Sequence, residues 1–297
     1  MANFNLTDYP LWTALVTPFN SNGEVDYEDL LTLLKQQEEA QNAILILGST
    51  GEALNIDLET RKKIVEFTCE QNLNVPLMVG VGGSLIESCT EWIEWLNDKA
   101  IHSLLLVTPL YAKPGRKGQT AWFQKLLDTA KLPCVLYNVP GRTAIPMHIE
   151  TVKDVIKHPN FFGIKEASGS VEKFSEYCRA AEGKVMYCGD DGLMPEFTKA
   201  GAKGLISVAS NVWPKETHLY VRQNLNGSFT ENELWTTAAN SLFLASNPVP
   251  AKCLLAKRGD IKTSTLHLPL HADDLESLDP VLESDERVQN WFSNQEG

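Results

Sequence analysis

Residues 161–170 read FFGIKEASGS. Two phenylalanines, a glycine and an isoleucine lead directly into Lys165, and small polar residues follow it. A short apolar run bounded by turn formers predicts a strand buried on both faces, as in parallel sheets. Lysine is among the residues least often buried. Its place at the end of such a strand therefore calls for a reason.

Runs of the same kind recur on both sides. Towards the amino terminus lie LPCVLYNVPGR from Leu132, HSLLLVTPLY from His102, VPLMVGVGG from Val75, AILILGSTGEA from Ala43 and WTALVTPF from Trp12. Towards the carboxyl terminus lie KVMYCGDDG from Lys184 and KGLISVAS from Lys203. Each is aliphatic or β-branched and ends among Gly, Pro, Ser, Thr or Asn. The intervals carry helical periodicity. VDYEDLLTLLKQQEEA sets Leu30, Leu33 and Leu34 on one face, and LETRKKIVEFTCEQ, ESCTEWIEWLND and QTAWFQKLLDTA follow suit. The last interval, GLMPEFTKAGA, is short.

Eight strands alternating with helices predict the α/β class and a (β/α)8 TIM barrel. A doubly wound sheet usually stops at about five or six strands and carries a G-x-G-x-x-G turn after the first. Here the first strand runs into VTPFNSNGEVD, which lacks that turn. Beyond about Asn211 the strand signal ends. KETHLYVRQNLNG, TENELWTTAANSLFLAS, PVPAKCLLAKRG and DDLESLDPVLESDERVQNWFS read as helices broken by Gly and Pro. A catalytic barrel over 1–225 and a small helical C-terminal region over 226–297 are expected.

The composition narrows the function. Of 297 residues, 43% are hydrophobic, enough for a substantial core. The formal net charge is −12, with 26 Lys and Arg against 38 Asp and Glu. That sign argues against nucleic acid or an acidic membrane as partner. The six cysteines include no C-x-x-C pair, which leaves a zinc site unsupported and reduced core thiols expected. MANFNLTDYP has neither a basic start nor an apolar stretch, and no run reaches the roughly 18 residues of a membrane helix. A cytoplasmic protein is expected.

In a β/α barrel the chemistry collects at the carboxyl ends of the strands. Those ends carry Ser49, Thr50, Tyr111, Tyr137, Arg142, Lys165, Gly189 and Asp190 among others, with one lysine, one arginine and no histidine. An ordinary lysine is only about 0.1% neutral at physiological pH, so an amine nucleophile needs a desolvating site. Lys165 is either such a nucleophile, poised for Schiff-base chemistry, or a side chain reaching to water from a strand end. Tyr137, on the neighbouring strand, is either a proton shuttle beside it or core packing. Arg142 is either a bidentate carboxylate clamp or half of a loop salt bridge. GSTGEA offers backbone N–H groups and hydroxyls to an anion but lacks the lysine of a nucleotide-binding P-loop. Glu166 and the GDD at 189–191 raise a metal site, yet His102 stands at the wrong end of its strand to join one. No catalytic metal is expected.

Taken together, GSTGE, VTPLY, YNVPGRT, GIKEASG, GDD, ISVASN and NPVPAK resemble, in order and spacing, the dihydrodipicolinate synthase (4-hydroxy-tetrahydrodipicolinate synthase) family. This family lies within the pyruvate-dependent class I aldolase and N-acetylneuraminate lyase superfamily. The resemblance covers about Thr13 to Leu270. It implies condensation of pyruvate with L-aspartate 4-semialdehyde, in lysine and diaminopimelate biosynthesis. It further implies that Lys165 forms the imine with pyruvate and that Tyr137 relays protons with Ser49 and with Tyr111 of a neighbouring subunit. Thr50 would hold the pyruvate carboxylate, Arg142 the carboxylate of the semialdehyde, and Gly189 and Ile206 would line the pyruvate pocket. No added cofactor is implied, because the imine is the electron sink. A homotetramer built as a dimer of dimers, or a homodimer, is implied as well.

The sequence departs from the family pattern in three places. Ser49 stands where threonine is usual, the segment GEALN is short, and Leu110 replaces a tyrosine that often precedes Tyr111. Around Ser84 the Asn and Glu of the lysine-inhibitor site are missing. Feedback inhibition by lysine is therefore expected to be weak or absent. The nearest alternative is a sister pyruvate aldolase acting on N-acetylneuraminate or a keto-deoxy sugar acid, although Arg142 and YNVPGRT are unusual there. A catalytically silent keto-acid sensor is a second alternative, against which both Lys165 and Tyr137 are present.

Overall fold

The computed structural model describes residues 4–296, and Met1–Asn3 and Gly297 lie outside it. Its centre is a closed ring of eight parallel strands in sequence order. They are β1 (Leu11–Ala14), β2 (Ala43–Ile46), β3 (Leu77–Val81), β4 (Ser103–Val107), β5 (Cys134–Asn138), β6 (Phe161–Glu166), β7 (Val185–Cys188) and β8 (Gly204–Ser207). Closure comes from β1 pairing with β8 through Trp12 and Ile206. Around this ring run α1 (Tyr27–Glu39), α2 (Leu58–Glu70), α3 (Ile86–Leu96), α4 (Arg116–Thr129), α5 (Pro140–Thr143), α6 (Ile149–Val155), α7 (Val171–Ala180) and α8 (Met194–Lys199). The expected (β/α)8 barrel is what forms. Two short helices, α5 and α6, fill the β5–β6 connection and α7 fills the β6–β7 connection, the two intervals for which no amphipathic segment is quoted above.

Two apolar cores explain why the strands read as continuous hydrophobic runs. One lies inside the ring and includes Trp12, Leu45, Met78, Val135, Tyr187 and Ile206. The larger one lies between the ring and its helices and takes the alternate strand residues, such as Ile44, Leu104, Leu136 and Ile164, with Leu30, Leu33 and Leu34 of α1. A period of two along each strand thus feeds both cores. Each fully buried aliphatic or aromatic side chain contributes roughly 1.5–3 kcal/mol. The same alternation decides where Lys165 points. Ile164 joins the outer core, so Lys165 faces into the ring.

After β8 the chain forms α9 (Pro214–Asn226), α10 (Asn232–Ser241), α11 (Val249–Arg258) and α12 (Asp279–Glu296). Trp235 of α10 stacks on Tyr220 of α9 with ring centres 4.1 Å apart and meets Trp291 of α12 edge-on at 5.5 Å. These aromatic contacts weld the last helices to the barrel wall. Among the described residues no helix is long and apolar enough to cross a membrane.

One polar contact ties this helical part to the mouth of the barrel. Lys252 of α11 donates to Glu52, in the loop after β2, at 2.8 Å, and both side chains are fully buried. Glu52 also accepts from the backbone N–H of His267 at 2.8 Å. The ammonium lies 4.2 Å from the centre of the Phe19 ring. Burial pushes Lys252 down from 10.5 to about 8, against the pull of Glu52. Removing one partner leaves a buried, unpaired charge. Lys252→Ala is therefore expected to lose about 3–5 kcal/mol of stability near neutral pH, read as a lowered urea midpoint. A midpoint equal to that of the wild type would show that the pair does not anchor α11.

Candidate active site

Lys165 is the penultimate residue of β6, one position earlier than a strand end. The parallel register sets it beside Tyr137 of β5 and Tyr187 of β7. It is buried, with 4% of its surface exposed, so it does not reach out to water. Its Nζ lies 4.5 Å from the centre of the Tyr137 ring. Tyr137 is buried as well, and packs with the inner core while lying against the amine. Packing and proximity to the amine are thus satisfied by one side chain.

Gly189 follows β7 and leaves room for the lysine. A Cβ there would fall 3.1 Å from the Lys165 Cε, 2.9 Å from the Glu166 carbonyl and 2.6 Å from the Ala167 Cβ. Ile206 of β8 is fully buried in the inner core. Asp190 accepts from the Gly169 backbone N–H at 3.2 Å. Burial raises its carboxyl from 3.8 to about 6, although Lys165 pulls the other way.

The loop after β2 is bent at both ends. Leu47 and Glu52 are non-glycine residues in the left-handed region, at φ 55° and 54°. Conformations of this kind cost of order 1–3 kcal/mol each and persist where the surroundings enforce them. Here the Glu52–Lys252 pair and the Thr17 hydroxyl, which donates to the Gly51 carbonyl at 2.8 Å, do the enforcing. Ser49 is consequently exposed while Thr50 is buried, and Thr50 accepts from the Asn247 amide at 3.0 Å.

A cavity of about 310 Å³ opens between this loop and β5, with Ser49, Tyr137 and Arg142 in its wall. Lys165 and Thr50 are not part of that wall, and Tyr137 links the two places by touching both. Ser49 and Tyr137 share the cavity without a direct hydrogen bond. Arg142 donates from Nη2 to the backbone carbonyl of Asn247 at 3.1 Å, and among the described residues no carboxylate lies within ion-pair distance of it. The loop salt bridge considered for it does not form. Tyr111 stands apart. It is 93% exposed, with a left-handed φ of 65°, and does not line its own chain's cavity.

The remaining carboxylates at the rim hold the barrel together. Glu166 accepts from the Asn138 amide at 2.6 Å and from the Ser168 N–H at 3.1 Å, and burial raises its carboxyl. Asn138 in turn accepts from the Met147 N–H at 2.8 Å. These bonds lock β5 to β6 and so fix Tyr137 beside Lys165. Asp191 takes the Ser207 hydroxyl and the N–H groups of Val208 and Ala209, at 3.0 and 3.3 Å for the last two. Among the described residues no three His, Cys, Asp or Glu side chains converge as metal ligands. All six cysteines are free thiols, and Cys134 and Cys188 are buried, with burial raising both well above the ordinary thiol range.

Glu52, Asn247 and Lys252 sit within quoted motifs but carry no role in the sequence analysis. Their partners lie about two hundred positions away in the chain, and nothing local signals such a pairing.

A model of the dihydrodipicolinate synthetase family matches residues 9–283. The chain belongs to this family. It is 45% identical over 286 residues to 4-hydroxy-tetrahydrodipicolinate synthase of Francisella tularensis subsp. novicida, covering 96% of this chain and 97% of that one. Identity to the enzyme of the same name from Wolbachia pipientis subsp. Culex pipiens is 42% over 282 residues, covering 95% and 96%. A crystal structure of the chloride-inhibited dihydrodipicolinate synthase of Acinetobacter baumannii, in complex with pyruvate, superposes with a TM-score of 0.87 at 30% identity, covering 94% and 99%.

Asp190 supplies a test of the site's electrostatics. Its folded value of about 6 lies above the ordinary 3.8, so it binds its proton more tightly folded than unfolded. The associated stability is complete below pH 3.8 and is lost as pH rises through 6. Asp190→Asn is expected to melt higher than the wild type at pH 8, with the gap closing towards pH 4. A gap that is flat from pH 4 to pH 8 would contradict the raised affinity of the half-buried Asp190 carboxyl for its proton.

Proposed function

We propose that this chain condenses pyruvate with L-aspartate 4-semialdehyde to 4-hydroxy-tetrahydrodipicolinate, the entry step towards diaminopimelate and lysine. The observation that carries this reading is the buried amine of Lys165 in register with Tyr137, at the mouth of a barrel that belongs to this family. The names of the relatives at 42–45% identity support the substrates, and support them over a sugar-acid aldolase.

In this mechanism the Lys165 amine adds to the keto carbon of pyruvate, and water leaves to give the protonated imine. Tyr137 takes a proton from the methyl carbon, and the imine nitrogen accepts the electron pair, forming an enamine. The enamine carbon attacks the aldehyde of the second substrate, and the alkoxide takes up a proton through the same phenol. Finally the amine of the bound semialdehyde displaces Lys165 from the imine carbon, which closes the ring and frees the enzyme. The imine is the electron sink, so these steps need no added cofactor. Ser49 passes protons to and from Tyr137, Thr50 holds the pyruvate carboxylate, and Gly189 and Ile206 shape its pocket. Arg142 receives the carboxylate of the semialdehyde. Its position in the cavity wall, free of any ion pair among the described residues, supports that role.

Tyr111 completes the relay from a second copy of the chain, in a homodimer or a dimer of dimers. Its near-complete exposure and absence from its own cavity support a place in a partner's site. Lysine inhibits weakly or not at all. The cavity wall near Ala53, Leu54, Leu110 and Leu270 is apolar, and its carboxylate, Glu52, is already taken by Lys252.

Two measurements test this reading. Intact mass after pyruvate and sodium borohydride should show a pyruvyl adduct on the wild type and none on Lys165→Ala. An adduct on both, or on neither at saturating pyruvate, would refute the assigned amine. Separately, turnover should hold steady as lysine is titrated into the millimolar range, and a micromolar inhibition constant would refute weak regulation.

A further inference from the structure

Asn247 is hydrogen-bonded to both of the proposed carboxylate-binding residues. Its side-chain Nδ2 donates to the Thr50 hydroxyl oxygen at 3.0 Å, and its backbone carbonyl accepts from Arg142 at 3.1 Å. Asn247 and Thr50 are both buried, at 5% and 2% exposure. The segment is held in place from the other side by Lys252, which grips Glu52 in the same loop. Residues 247–252 therefore clasp the β2 loop at two points, Thr50 and Glu52.

Asn247 is not there for stability alone. Its Oδ1 is buried and has no hydrogen-bond partner among the described residues, a state with a desolvation cost. An apolar side chain of similar size would avoid that cost. What the amide supplies instead is direction. A threonine hydroxyl has one proton and two acceptor lone pairs. With the N–H of Asn247 filling a lone pair, the proton of Thr50 is left free to donate to an incoming carboxylate. Turned the other way, the amide oxygen would take that proton and leave Thr50 nothing to give.

We propose that Asn247 is a positioning residue for the condensation, orienting the Thr50 hydroxyl as a donor to pyruvate while its backbone holds Arg142 for the second substrate. The inference rests on the assignment of Thr50 and Arg142 to the two substrate carboxylates. It extends that assignment by giving both groups a common support from outside the barrel.

The test is steady-state kinetics with thermal midpoints for the wild type, Asn247→Ala, Thr50→Val and the double variant. Asn247→Ala should raise the pyruvate KM about threefold to tenfold, the size of one neutral hydrogen bond, while kcat and the midpoint stay near wild type. In the double variant the pyruvate KM should match that of Thr50→Val alone, because Asn247 reaches pyruvate only through Thr50. Asn247→Asp keeps the shape, should the alanine variant not fold, and replaces the donor with an acceptor that captures the Thr50 proton. Its pyruvate KM should rise at least as far, whereas a purely structural role would leave the isosteric variant closer to wild type. A wild-type pyruvate KM in either Asn247 variant, beside a raised one in Thr50→Val, overturns the proposal. So do effects that multiply in the double variant. An unchanged KM in Thr50→Val refutes the role of Thr50 itself, a separate result that removes the basis of the inference.

Discussion

Parallel strands have no solvent-tolerant face, and the hydrogen-bonded edges of an open sheet have to be covered. Pairing of β1 with β8 solves both problems by closing the ring. Once the ring is closed, each strand must divide its residues between an inner and an outer core, and register leaves no freedom about which goes where. Lys165 is inward because Ile164 is outward, and it meets Tyr137 because β5 and β6 pair Tyr137 with Lys165. The proposed nucleophile and its proposed proton shuttle are thus set by the hydrogen-bond register that makes the barrel. The Glu166–Asn138 bond at the strand ends holds that register at the site.

Around this fixed pair the fold places further constraints. Gly189 lets the backbone of β7 pass close to the lysine stem. The loop after β2 is bent through left-handed residues at Leu47 and Glu52, and it is held bent by a buried ion pair to α11. The C-terminal helices are therefore part of the mouth of the barrel and not only a covering for its wall. Strain in the loop and restraint from α11 belong together, because unfavourable backbone conformations survive only where other contacts compensate.

Much of this was legible from residue order. Alternating apolar and amphipathic segments gave eight β/α units, since each kind of element has its own period. The three polar groups expected to matter, Lys165, Tyr137 and Arg142, do sit at one end of the ring, as strand-end positions in a barrel must. The short helices α5 and α6 are too brief, at 4 and 7 residues, to develop a clear periodicity, and the longer α7 was not singled out either. Tyr111 shows another limit. Its position in the chain suggests the rim of its own barrel, whereas its side chain is almost wholly exposed and does not line that barrel's cavity.

The sequence by itself determined the architecture, the identity of the candidate amine and its neighbours along the strands. These depend on local periods and on the rule that barrel chemistry lies at strand ends. Tertiary structure alone decided which distant groups support them. Thr50 finds Asn247, and Glu52 finds Lys252, across about two hundred residues of chain, and Arg142 reaches the carbonyl of Asn247. Such pairings have no local signature, because they exist only when the folded core brings α11 against the β2 loop and removes water from between them.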